Sequence, residues 1–264
     1  MEDDADWDVR IKQQLHDFAL STRALTQPLL NDPSSYADPT YPKPLDPKFV
    51  PDDIDFNKLP LTVPPNTSPY GDDWDLLWFG HCTMRFPNPG LMSAPIVPKG
   101  RVVRMSDPTV PAKKNLPNDT WGGNDIIRET FPDHTRVVHH VADGMCATGY
   151  AITQATARAL LYWIGLTKVD NAYDYLLQQF CEGMGGRKYH NCIAANPSFI
   201  RPHRAAGGES SDSDIQLVGS IGTKVRDKGL TEGLKWSTRL NLEVLLAGGE
   251  DFVDSYPEAP GGKN

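Results

Sequence analysis

Proline sets the first limit on what this chain can fold into. Eleven of its 23 prolines fall between residues 27 and 73. Proline lacks a backbone N–H and blocks the helix interior, and within sheets it is confined to edges and bulges. Residues 27–73 are therefore neither a helix nor a central strand. They read as a long excursion over the surface: a lid, an insertion or a disordered loop. The aromatics Tyr36, Tyr41, Phe49 and Phe56 suggest that part of it packs down. The regular core must come from the segments on either side.

Those segments carry clear periodicities. From Trp7 to Thr26 the residues Ile11, Leu15, Phe18 and Ala19 follow helical spacing, and Gln27-Pro28 ends the pattern. Asp75-Leu76-Leu77-Trp78-Phe79 is a nearly continuous apolar run, as in a strand buried on both faces of a parallel sheet. Residues 101–105, 136–141 and 147–152 are further strand candidates. Thr153 is placed to cap a helix running to Ile164, with Gly165 at its C′ position. Asp170 looks like the cap of a second helix, which carries Tyr173, Leu176, Leu177 and Phe180 and ends at Gly183. Ile193 to Ile200 is a short extended piece. Residues 204–214 have a disorder-like composition, Leu234 to Leu246 suit an amphipathic helix, and the tail from Gly248 reads as loose. Strands mixed with helices give an α/β class.

With 39% hydrophobic residues the chain can bury a core, and a formal charge of −8 argues against nonspecific nucleic-acid binding. No apolar run spans a bilayer, and no signal peptide stands at the start. The four cysteines form no CxxC pair, which argues against a zinc knuckle. Cys181 and Cys192 are able to bridge in an oxidising compartment, although four cysteines allow three pairings. Cys146 reads as a buried residue. The triplets Asn66-Thr67-Ser68 and Asn118-Asp119-Thr120 are glycosylation sequons.

The chemistry-bearing residues are few. Five of the seven residues in Glu2-Asp3-Asp4-Ala5-Asp6-Trp7-Asp8 are carboxylates. Two readings fit them. One is a helix start, in which Asp6 or Asp8 is an N-cap facing the positive end of the dipole. The other is a site for a hard divalent cation. His139 and His140 are neighbours on one strand and must point to opposite faces. Gly183, Gly185, Gly186 and Arg187 have the composition of a phosphate nest without a P-loop pattern. His190 lies in the loop that follows. GxSxG, HExxH and Walker A motifs are absent.

Taken together these segments resemble glycosyltransferase family 25, the group once named for lipopolysaccharide biosynthesis. Glu2-Asp3-Asp4 is similar to its E-D-D segment, and Asp73-Trp74-Asp75-Leu76-Leu77-Trp78-Phe79-Gly80 to its downstream strand. Gly149-Tyr150-Ala151-Ile152-Thr153 with Ala157, Leu160 and Leu161 is similar to its G-Y-x-[I/L]-[S/T]…A…LL segment. Val169-Asp170 and Asn196-Pro197 match its closing signatures more loosely. The proline-rich insertion and Arg187-Lys188-Tyr189-His190 look like filamentous-fungal members. The resemblance covers roughly residues 2–200.

The resemblance implies a GT-A-like α/β fold with a mainly parallel sheet, flanking helices and long proline-rich loops. It places a partial transferase domain at residues 1–203. A linker, a helix and a tail follow at 204–264. The implied activity is transfer of a hexose such as galactose, with inversion, from a UDP-sugar to a glycan or glycoprotein acceptor. Mn²⁺ or a similar cation assists. Carried over, Asp3 and Asp4 are the metal ligands, with Glu2, Asp3 and His190 as donor or cofactor contacts. Asp143 and Asp170, ahead of Asp174, are candidates for the carboxylate that deprotonates the acceptor. Full-length relatives belong to the secretory pathway. The family also implies about a hundred residues of nucleotide-binding structure ahead of Glu2, so the chain as written is expected to turn over weakly or not at all. Two other classes compete: a metal-dependent hydrolase using the same carboxylates with His139 or His140, and a non-catalytic interaction protein.

Overall fold

The structure, a computed structural model, describes residues 1–119, 122–167, 169–208 and 225–257. Its centre is a six-stranded sheet. The strands are β2 (Ile54–Asp55), β3 (Leu76–Gly80), β4 (Arg101–Arg104), β5 (Arg136–His140), β6 (Gly149–Ile152) and β7 (Cys192–Asn196), in the order β2-β4-β5-β7-β3-β6. β2, β4, β7 and β3 run in one direction, and β5 and β6 run against them. The sheet is thus mixed, which corrects the expectation of a mainly parallel one. Two short strands outside it, β1 (Ala5–Trp7) and β8 (Ile200–Pro202), form an antiparallel ribbon. A second ribbon joins β9 (Gly207–Gly208) to β10 (Val225–Arg226).

Helices cover both faces. α1 (Ile11–Thr26) lays Phe18, Ala24 and Leu25 on Leu77, Val138, Ile193 and Ala195. On the other face α3 (Gln154–Leu160), a π-helix (Leu161–Thr167) and α4 (Tyr173–Glu182) bury Leu160, Ile164, Leu176 and Phe180 against Leu76, Trp78 and Ala194. α2 (Gly123–Thr130) closes the corner over Val103 and Val137. The run Leu76-Leu77-Trp78 is fully buried because alternate residues feed opposite cores. Both disulfides sit on the α4 side, Cys181–Cys192 and Cys82–Cys146, with Cα atoms 5.5 and 5.4 Å apart, and they leave no free cysteine. Cys146 is half-buried and bridged.

Several local expectations shift. The first helix starts at Ile11, and Trp7 belongs to β1. Thr153 does cap α3, accepting from the Thr156 N–H at 3.1 Å. Gly165 does not end that helix, which widens into the π-helix and runs to Thr167. Asp170 is not a cap, since α4 begins after Ala172 with no side-chain cap. Gly183 does end α4, in the left-handed conformation at φ 65°. The expected helix over 234–246 shortens to α5 (Leu242–Leu246). The loose tail is tied down as far as Tyr256, whose hydroxyl accepts from the Gly233 N–H at 2.9 Å. The excursion is ordered: Thr22 Oγ1 donates to Tyr70 O at 2.7 Å, Gln27 Nε2 to Val63 O at 3.2 Å, and Asp38 and Tyr41 are buried. Of residues 204–214, expected to be disordered, 204–208 are ordered, since Arg204 pairs with Leu230 and Gly207–Gly208 forms β9; residues 209–214 and the tail beyond 257 lie outside the described residues.

Candidate functional site

The acidic segment lies where β3 ends. Gly80 at the end of β3 pairs with Gly149 at the start of β6, and Phe199 N–H donates to Phe79 O at 2.8 Å. β8 leaves from there and carries β1 beside it, with Trp7 opposite Ile200 and Ala5 opposite Pro202. Glycine is required at position 80: a Cβ there would lie 2.9 Å from both Gly149 N and Ile200 O. Glu2 N–H donates to Thr148 O at 2.9 Å, and His203 N–H to Asp4 O at 2.8 Å. The carboxylate run therefore crosses the carboxyl end of β3, the end at which open α/β sheets hold ligands.

The five carboxylates divide into two sets. Asp6 and Asp8 are fully buried and structural. Asp6 accepts from Trp7 N–H at 2.8 Å, Arg239 N–H at 3.2 Å, Thr231 Oγ1 at 2.6 Å and the Ser237 hydroxyl. Asp8 accepts from Arg10 N–H at 2.8 Å and Trp236 N–H at 3.3 Å, while burial pushes its carboxyl above the usual range. Neither is an N-cap by helix position; Arg10 holds that place. Thr238 N–H donates to Trp7 O at 2.8 Å and Val9 N–H to Trp236 O at 2.9 Å, so residues 236–238 lie along the second edge of β1.

Glu2 and Asp3 are exposed and Asp4 half-buried. Partial burial and then the Asp4 charge push the Glu2 carboxyl upward. Asp4 lies 3.7 Å from Arg204 Nη1, and Arg239 Nη2 donates to Asp3 O at 2.6 Å. The surface at this end thus alternates carboxylates with guanidinium groups. Among the described residues, no group of three or more His, Cys, Asp and Glu side chains is arranged to hold a metal ion. Two carboxylates are too few for an ion held by protein alone.

The other predicted site residues scatter. The 141–148 loop starts at the amino end of β7, where Val141 N–H donates to Cys192 O at 2.9 Å, and reaches the end that carries Glu2 only at Cys146 and Thr148. Asp143 in that loop has φ 48° and is anchored: Gln178 Nε2 donates to it at 3.0 Å and Arg85 Nη1 is 3.2 Å away. Its own N–H donates to Glu182 Oε1 at 2.8 Å. Asp174 accepts from Cys146 N–H at 2.9 Å. Asp170 is exposed in the connection before α4. His190 stacks on Phe180 with ring centroids 3.5 Å apart, just before the amino end of β7. That is the end of the sheet away from Glu2, because β7 and β3 are parallel.

His139 and His140 do face opposite ways, and both are fully buried. His139 meets Phe86 and Asn196, and His140 meets Tyr41 and Asp38. Burial drives the His139 ring down to about 3. Neither belongs to a group of three or more His, Cys, Asp and Glu side chains that could hold a metal ion among the described residues. The nest-like glycines keep positive φ at 183, 185 and 186, and Arg187 turns back to Gln179 at 2.6 Å. Sequence reasoning missed Arg204 and Arg239, which carry no motif and reach the acidic segment only through the fold. Compared with protein-family models, with curated proteins and with solved structures, the chain finds no match.

Proposed function

We propose that this chain acts in hexosyl transfer from a UDP-sugar to a glycan or glycoprotein acceptor, in the manner of the family 25 glycosyltransferases it resembles. The observation that carries the reading is the position of Glu2, Asp3 and Asp4 at the carboxyl end of β3, flanked by Arg204 and Arg239. A GT-A type of sheet is the finer form of the same proposal. Asp3 and Asp4 would hold a divalent ion such as Mn²⁺ together with the donor diphosphate. When bound, that ion would neutralise charge on the departing diphosphate. Arg204 and Arg239 offer guanidinium groups that suit phosphate oxygens.

Asp143 is the proposed acceptor of the proton from the sugar hydroxyl, by its place in the family resemblance and not by any contact with the acidic segment. Arg85 and Gln178 fix its orientation, and general-base catalysis needs a positioned carboxylate. The hydrolase reading is less well supported, because His139 and His140 lie in the interior, away from the acidic segment.

Calorimetric titration of UDP-galactose and UDP into the chain, with and without Mn²⁺, tests the proposal. Expected is Mn²⁺-dependent binding, weakened at least about tenfold in Asp4→Ala, roughly the loss of one charge-assisted contact. Asp143→Asn should keep nucleotide binding and abolish whatever transfer the parent chain shows. A folded chain that takes up neither nucleotide would sink the reading.

A further inference from the structure

Surface helices normally turn polar residues outward. The π-helix does the opposite. Leu161 is 61% exposed, Tyr162 54%, Trp163 36% and Leu166 71%, and Val169 just beyond is 70% exposed. Only Leu160 and Ile164 of this stretch reach the core. Residues 159–167 contain no charged side chain. In π winding residues i and i+5 are neighbours, which sets Leu161 beside Leu166. Gly165 between them leaves room, since a Cβ there would meet Leu161 Cδ1 at 3.2 Å. The Tyr162 and Trp163 rings stand edge to face, 5.1 Å apart.

Singly exposed apolar residues are ordinary, but a contiguous patch of this kind marks an interface. With full areas of about 150–250 Å² for the aromatic residues and roughly 150 Å² or more for Leu and Val, the five exposures leave on the order of 500 Å² of surface. Two such patches together reach the roughly 1,000 Å² at which specific interfaces begin. We infer that this face is the two-fold interface of a homodimer. An isologous contact needs a surface that complements itself, and an uncharged apolar patch does so. The chain carries a formal charge of −8, and residues 161–167, which bear no charge, set no carboxylates of two acidic copies in direct opposition. Core positions of interfaces are likewise depleted in charge and enriched in Tyr and Trp. The same net charge opposes docking on an anionic lipid surface, where a basic polar face is needed.

Sedimentation velocity of the full chain from about 1 to about 100 μM tests the inference, a range suited to interfaces at the small end of the specific class. The expected result is a concentration-dependent rise from the monomer mass of 29.2 kDa to twice that value. The double variant Leu161→Glu, Leu166→Glu should remain monomeric, with the thermal midpoint that the parent shows at concentrations where it too is monomeric, since both side chains lie mostly on the surface. Leu45→Glu, at a residue 99% exposed elsewhere, should dimerise like the parent. A monomer at every concentration would overturn the inference. So would a dimer indifferent to the double variant, loss of dimer in Leu45→Glu, or open-ended aggregates in place of a closed pair.

Discussion

Asp6 and Asp3 are three residues apart in one acidic run, yet they hold different offices. Asp6 is buried under four donors, and removing its carboxylate strands the Thr231 and Ser237 hydroxyls and the Arg239 N–H. Asp6→Ala should therefore cost about 3 kcal/mol, read from urea unfolding, with faster hydrogen exchange over residues 231–241. Asp3→Ala, on the surface, should stay within about 0.5 kcal/mol. If both variants proved equally mild, the buried role assigned to Asp6 would be wrong. The sequence shows five carboxylates of one appearance. What separates them is a set of partners more than 220 residues away, which no local pattern encodes. By contrast, the opposed faces of His139 and His140 followed directly from strand geometry.

At the scale of elements, legibility tracked how local the cause was. Leu76 to Phe79 announced itself as a strand by its apolar run, Arg136 to His140 read as a further strand candidate, and Thr153 stood out as a cap by chemistry confined to four residues. Thr153→Ala should lower stability by about 1 kcal/mol in thermal or urea unfolding, the usual worth of such a cap. Gly165 misled because a helix that widens to i→i+5 bonding can carry a glycine through. The expected helix at 234–246 failed for a tertiary reason. Asp6 and Asp8 take the N–H groups of Arg239 and Trp236, and Asn241 Nδ2 donates to Ser237 O at 2.8 Å, leaving five residues to wind. The sheet order was not legible at all, since it depends on pairings such as β3 with β7 across more than a hundred residues.

The whole molecule should be acid-sensitive in a way that particular residues set. Burial holds His81 down to about 4 and His139 to about 3, against an ordinary value of 6.5. Below about 6.5 the unfolded chain takes up protons that the folded chain refuses. Stability then falls by up to about 1.4 kcal/mol per pH unit for each histidine until pH nears the folded values. Asp8, Asp119 and Glu182, raised by burial, act in the opposite sense, so the check is a difference. His139→Asn should flatten the slope of urea midpoint against pH between about 6 and about 4 relative to the parent. The two disulfides should also differ. Cys82–Cys146 closes 64 residues and Cys181–Cys192 only 11. In the chain-entropy account, losing the first should cost roughly 4 kcal/mol and the second roughly 3, measured on paired Cys→Ser variants.

The clasp between residues 3–8 and 231–241 also orders events in time. A ribosome makes Asp6 long before Ser237, and at 5–20 residues per second the acidic strand waits on the order of ten seconds or more for its buried donors. Until they arrive, its carboxylates stay hydrated and one edge of β1 has nothing to pair with. Closing so long a loop is slow and is rewarded only at the end. The buried donors of Asp6 and Asp8 thus reach the clasp after β8, His203 and Thr148 are available to hold the run at the end of β3, so a nascent chain can hold a finished sheet before the second edge of β1 is covered.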